Sequence, residues 1–176
     1  METYEAIMTR RSIPKTAEGV SSRDEIQRLL DAAVAAPNHH LTEPWRFVVL
    51  TGDLLKELGE VFAAYAEQTG RNAEHDRNLP QRAPVIITVI ERPRTDDPHV
   101  PEIEEYHAVG AALQNILLAA HDVGLAAMIR TGVHAGSTEV RNYLGLDARE
   151  LIAGFIYVGY PLPEFTRLRA RRPRPS

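Results

Sequence analysis

Apolar positions recur with helical spacing in some segments of the chain and run unbroken in others, and the alternation between the two sets the expected architecture. Ser22 followed by Glu25 has the form of a capping box. Ile26, Leu29, Leu30, Ala33 and Val34 then share one helical face until Pro37 stops the pattern, which predicts a helix over 23–36. Residues 45–50 (WRFVVL), closed by Thr51-Gly52, predict a strand. Asp53 is placed to cap a second amphipathic helix, with Leu54, Leu55, Leu58, Val61, Phe62 and Tyr65 on its apolar face and Gly70 at its end. Residues 71–83 show no periodicity and are expected to form a mobile surface excursion.

Residues 84–90 (PVIITVI) are continuously apolar, as a strand covered on both faces would be. A proline-rich loop over 92–101 leads into the most apolar helix, over 102–123. Ala108, Gly110, Ala111, Ala112, Ala119 and Ala120 interrupt its larger residues, which suits a crowded centre or a subunit seam. A strand over 125–130, a short helix over 137–144 and a last buried strand over 151–158, ended by Gly159, complete the series. Four strands separated by helices predict a layered α/β or α+β domain.

Composition narrows the function classes. A chain of 176 residues with 44% hydrophobic content suits one domain with a real core. The absence of cysteine excludes disulfides, thiolate metal sites and a cysteine nucleophile, and points to a reducing compartment. The opening METYEAIMTRR has no apolar run of signal-peptide length, and no uncharged apolar stretch is long enough to cross a membrane, so a cytoplasmic location without a membrane partner is expected. Net charge is -4. The stretch 166–176 (TRLRARRPRPS) carries basic residues and no acid, leaving a body of about −9 that is poorly suited to nucleic acid. No helix-turn-helix or RNP pattern offsets that charge.

Residues 9–15, TRRSIPK, pose the main chemical question. Arginines at the C-terminal end of a short helix over 4–9 complement its dipole without any ligand. A guanidinium fork beside a hydroxyl equally matches the oxygens of a phosphate monoester. The residues alone leave both readings open. His39-His40 invites a metal, but adjacent residues rarely converge on one ion, and Glu104-x-x-His107 has di-iron spacing with no second copy of the motif. A metal-binding helical protein using Glu104, His107 and His121 is therefore the outside alternative. No Gly-x-Gly-x-x-Gly, Walker loop or Gly-x-Ser-x-Gly elbow is present, which favours a site whose reactive group is brought in by a cofactor.

Five ordered stretches carry a family resemblance: residues 6–12 (AIMTRRS), 32–39 (AAVAAPNH), 43–49 (EPWRFVV), 128–132 (MIRTG) and 153–161 (AGFIYVGYP). Together they resemble the FMN-dependent nitroreductase family, and within it the compact YdjA-like NAD(P)H nitroreductases. The resemblance implies an α+β, three-layer sandwich with a central sheet of about four strands, in an intertwined homodimer holding FMN at the subunit interface. The domain would span 1–163, followed by a basic tail over 164–176. It also implies ping-pong hydride transfer from NADH or NADPH through FMN to a nitroaromatic, quinone or similar small acceptor. A dehalogenating or flavin-handling relative on the same fold is the nearer alternative.

By the same resemblance Arg10, Arg11 and Ser12 hold the FMN phosphate and ribityl chain, and His39 reaches the flavin of the other subunit from a turn shared with Pro37 and Asn38. Ile129, Arg130 and Thr131 match the strand-end segment at the cofactor, and Arg171 or Arg172 matches a C-terminal basic residue near the phosphate. Arg130 is the candidate positive charge near flavin N1, or else pairs with a carboxylate at the strand end. No side chain is expected to be an essential acid or base. Glu43 stands where the family often has glutamine, Pro14 where many members have a further arginine, and Ala35 where the subgroup has a basic residue. These departures imply weaker FMN binding than the family usually shows.

Overall fold

The unbroken apolar run becomes β2 (Val85–Glu91), buried along its whole length in the middle of a sheet. In this computed structural model, which describes residues 1–19, 21–93 and 99–165, β2 pairs on one side with β1 (Trp45–Thr51) and on the other with β4 (Leu151–Gly159). β3 (Ala126–Arg130) adds to β4, giving the order β1-β2-β4-β3. Every neighbouring pair is antiparallel, with Trp45 opposite Glu91, Val85 opposite Val158 and Ala126 opposite Gly159. An antiparallel sheet with helices on its faces resolves the class as α+β.

Side-chain alternation along β2 divides the core in two. Val85, Ile87 and Val89 face α2 (Arg23–Val34) and α5 (Glu102–Asp122), packing with Ile26, Leu29, Val109 and Ile116. Ile86 and Ile90 face α3 (Asp53–Gln68) and α6 (Thr138–Tyr143), packing with Leu58, Phe62, Phe155 and Val140. Truncating one of these buried isoleucines to alanine costs ~2–5 kcal/mol, because the removed atoms leave a cavity between two packed layers. The three-layer sandwich expected from the sequence is the observed one.

Local signals place most elements. Ser22 and Glu25 form the reciprocal capping box at α2. Asp53 is not a cap: Gly52, at φ +56°, holds the N-cap position of α3, and the Asp53 carboxylate pairs with Lys56 at 2.8 Å. The helix over 4–9 is present as α1 (Thr3–Thr9), against α5.

The segment 71–83 is not an unstructured excursion. It holds α4 (Ala73–Arg77), capped by the Asn72 side chain on the His75 amide, and a single 3-10 turn at Pro80–Arg82. Close approach to α3 depends on Gly59, where a Cβ would collide with the Arg77 carbonyl. Nor does the small-residue pattern of α5 serve one purpose. Ala108, Ala112 and Ala120 are buried in the core, whereas Gly110 is exposed with open space beside it.

Candidate functional site

The residues after α1 form a strap along the outer edge of β3. Ser12 makes a parallel bridge with Ala127, and the Ile13 amide donates to the Ala127 carbonyl at 3.3 Å. Arg130, at the far end of β3, donates from Nη2 to the Pro14 carbonyl at 3.3 Å. The strap then crosses the end of β4, with the Thr16 amide on the Arg82 carbonyl and the Ala17 amide on the Tyr160 carbonyl. Gly159 makes room for it: a Cβ there would sit 2.5 Å from Thr16 Oγ1 and 2.7 Å from Pro84 Cδ. In this way Arg10, Arg11 and Ser12, distant in sequence from Ile129, Arg130 and Thr131, share one sheet edge with them.

A cavity opens at each end of that edge. The first, of about 310 Å³, is lined by Arg10, Arg11, Ile13, His121 and Ala127 among others. Arg11 serves α1 as well, since its Nη1 donates to the carbonyls of Met8 at 3.0 Å and Arg10 at 2.6 Å. Those contacts complement the helix C-terminus as the dipole reading requires for Arg11. The second cavity, of about 410 Å³, is lined by Arg130, Thr131, His134, Tyr157, Phe62 and Leu79 among others. Along β3 the step from Ala127 to Arg130 is roughly 10 Å.

At the second cavity the Arg130 guanidinium lies over the Tyr157 ring, 5.2 Å from its centroid. Its Nε is buried without a hydrogen-bond partner among the described residues. The carboxylate partner allowed for Arg130 by the sequence is absent among the described ion pairs; its protein acceptor is the Pro14 carbonyl. Burial pushes the Tyr157 hydroxyl up to about 12, against a smaller opposing effect of Arg130 and Arg82. The ring is thus a neutral platform for the cation at ordinary pH.

Behind this cavity stands a buried polar cluster that sequence reasoning missed. His134 Nε2 is 3.1 Å from Asp76 Oδ2, and Arg71 Nε donates to the same oxygen at 2.9 Å. The imidazole stacks on Phe62 with centroids 3.9 Å apart, and Tyr65 meets it edge-on. Burial pulls the His134 ring below the ordinary histidine range, more strongly than Asp76 lifts it. Burial would raise the Asp76 carboxyl, but Arg71 and His134 together hold it below the usual carboxylate range. The available signal was Asn72 three positions before His75, a cap for a helix too short to show a period.

Pro37, Asn38 and His39 lie elsewhere. They follow α2, where the Asn38 side chain accepts from the Glu43 amide at 2.9 Å. His39 Nδ1 is 3.6 Å from Glu104 Oε2, both groups nearly half exposed. His40, Leu41 and Glu43 all take positive φ in this loop, a concentration of strain that needs support from its surroundings. Glu104 is in the first turn of α5, whereas His121, at the first cavity, is in the last. The helix between them is roughly 25 Å long. One chain therefore does not bring His39 to Arg10.

The metal alternative fails on the same geometry, because Glu104 and His121 stand at opposite ends of α5. No group of three or more His, Asp or Glu side chains among the described residues could hold a metal ion. No described helix is long and apolar enough to cross a membrane. Arg171 and Arg172 lie outside the described residues.

The nitroreductase family matches residues 7–160, and the chain belongs to that family. It is 33% identical to the Escherichia coli K12 protein named "Putative NAD(P)H nitroreductase YdjA", over 99% of this chain and 97% of that one. A nitroreductase-like family protein of Bacillus cereus superposes with a TM-score of 0.78 at 26% identity, covering 98% of this chain and 92% of its own. A Desulfovibrio desulfuricans structure described as a "putative nitroreductase in complex with fmn" gives 0.76 at 28% identity, over 97% and 91% of the two chains.

Proposed function

We propose that the protein is a cytoplasmic FMN-dependent oxidoreductase that takes a hydride from NADH or NADPH and passes it to a nitroaromatic, quinone or similar small acceptor. The observation that carries this reading is the strap on β3, which sets the Arg10–Ser12 cluster at one end of a sheet edge and Arg130 at the other. A cofactor with an anionic phosphate and a flat, polar-edged ring has matching demands. The donor set fits: two guanidinium groups line the cavity at one end, with Ser12 between them and Ile13 on the strap, and a buried guanidinium nitrogen without a partner among the described residues lies over an aromatic platform at the other.

On this reading Arg10, Ser12 and the part of Arg11 not used by α1 hold the phosphate, with Arg171 or Arg172 from the tail as a further donor. Ile129, Arg130 and Thr131 border the ring, and the fixed Arg130 charge favours an anionic reduced flavin. FMN, when bound, supplies the hydride chemistry. The chain supplies position and charge, with no side chain required to shuttle a proton.

Pro37, Asn38 and His39 then belong to the site of a second copy, since α5 separates them from Arg10 in their own chain. Tyr4, Ile7, Val34, Leu41, Ile103 and Tyr106 are exposed on α1, around the end of α2 and at the start of α5. Large apolar groups left in solvent on these elements support a homodimer that covers them.

The test is the absorbance spectrum of the purified protein with and without FMN, followed by anaerobic NADPH and NADH. Two visible flavin bands that bleach with reductant support the assignment; a colourless protein that fails to take up FMN overturns it. Mixed dimers test the shared site. Arg10→Ala chains combined with His39→Ala chains regain one FMN site of wild-type affinity per dimer if the site is composed across subunits, and no site of wild-type affinity if each chain builds its own.

A further inference from the structure

His121 lines the same cavity as Arg10 and Arg11, yet the flavin reading leaves it without a task. Its hydrogen bonding determines which ring nitrogen can meet a ligand. Thr9 Oγ1 is 2.7 Å from the Glu5 carbonyl and 2.8 Å from His121 Nε2. A carbonyl can only accept, so the one hydroxyl hydrogen of Thr9 goes to Glu5, and the Thr9 oxygen must accept from Nε2–H. The alternative acceptor, Met1 Sδ at 3.9 Å, is a weak one and leaves the same assignment for Nε2. Nδ1 is therefore the bare nitrogen of the neutral ring, and no described residue is hydrogen-bonded to it.

A bare Nδ1 and a phosphate oxygen are both acceptors and repel each other. Once Nδ1 is protonated, the ring becomes a cationic donor beside two arginines. We propose that His121 takes up a proton when the FMN phosphate enters this cavity, and that its imidazolium donates from Nδ1 to a phosphate oxygen. This rests on the flavin reading above. The proton comes from solvent and returns there when FMN leaves.

The surrounding charges make the step ligand-dependent. Without the anion, burial first and then Arg10 and Arg11 hold the ring neutral, while Asp122 and Glu5 pull weakly the other way. Asp122 is already engaged by the Met1 ammonium at 2.8 Å, with Arg28 also near it. A phosphate of about −1.5 to −2 charge cancels the arginine field and reverses the preference.

The measurement is an NMR pH titration of the imidazole signals with and without saturating FMN, with His121 among the seven histidines assigned by His121→Gln. The His121 midpoint is expected to rise by about one unit or more on FMN binding, with Nε2–H as the neutral tautomer. In parallel, the ratio of FMN dissociation constants, His121→Gln over wild type, is expected to be about tenfold at pH 6 and to fall toward one by pH 8.5. Titration of the phosphate itself cancels in that ratio, and riboflavin, which lacks the phosphate, should show no such dependence. A midpoint that FMN does not move, with a flat ratio, overturns the His121 assignment and leaves the flavin reading intact. Failure of wild type to bind FMN at any pH overturns both.

Discussion

The two ends of α5 carry opposite chemistry. Its last turn meets Arg10, Arg11 and His121 at a cavity, and its first turn gathers Glu102, Glu104 and Glu105, with Glu91 from β2 close by. Both arrangements agree with the helix dipole, which favours anions at the N-terminus and cations at the C-terminus. They differ in how the charge is held. The basic groups border open space where an anion can enter. At the acidic end Glu91 is 2% exposed, and its Oε1 is buried without a hydrogen-bond partner among the described residues. Charge facing a cavity is available for ligand binding, whereas charge sealed behind packing is a cost to the fold.

Stability against pH gives the sharpest contrast. Burial first, then Glu102 and Glu105, push the Glu91 carboxyl up from 4.5 to about 7. A raised carboxyl pKa means that the folded state binds the proton more tightly than the unfolded chain. Its stabilising contribution is complete below pH 4.5, declines as pH rises through the window to about 7, and is absent above it. Glu91→Gln should remove that decline and gain up to about 3 kcal/mol at pH 8 relative to wild type. Urea midpoints at pH 5 and pH 8 check it. Equal pH slopes in the two proteins would mean that the acidic end is not under strain.

At the basic end the effect should fall on the ligand rather than the fold. Arg10→Ala should cost FMN binding ~1.5–3 kcal/mol, a weakening of about one to two orders of magnitude. The melting temperature of the FMN-free protein should hardly move. Fluorescence titration with FMN measures the first, and calorimetry the second. A variant that binds FMN as tightly as wild type places the phosphate elsewhere.

The smallest effect is expected at His39, beside the acidic end. Its contact with Glu104 is between nearly half-exposed groups and is worth at most about 1 kcal/mol to stability. His39→Ala should therefore leave FMN-free stability nearly unchanged and weaken FMN binding only about several-fold, through loss of a single contact. If it destabilised the free chain by more than its FMN affinity fell, His39 would be a support for its own loop and not a contributor to a neighbouring site.

Legibility in the sequence followed the range of the interactions. The capping box at Ser22 and the apolar run of β2 are local, and both elements formed where expected. The failure over 71–83 came from length: α4 spans about one turn, so no apolar period can show within it, and its anchor, Asp76, contacts a histidine far along the chain. Arg10 to Ser12 were legible as a motif, as were Ile129 to Thr131. Their union was not, because it depends on a bridge between Ser12 and Ala127 that no local pattern encodes. His121 was visible only as one member of a metal set that the fold pulls apart.

The sequence by itself determined the period of each long element, the buried centre of the sheet and the residue types able to hold a phosphate, because these follow from side-chain chemistry over a few neighbouring positions. The tertiary structure decided which of those residues meet. Packing α5 between α2 and the sheet put His121 with Arg10 and carried His39 to the far end of the helix. A rigid helix of six turns transmits position but allows no contact between its ends, so distance along it, and not spacing in the chain, separates His39 from Arg10.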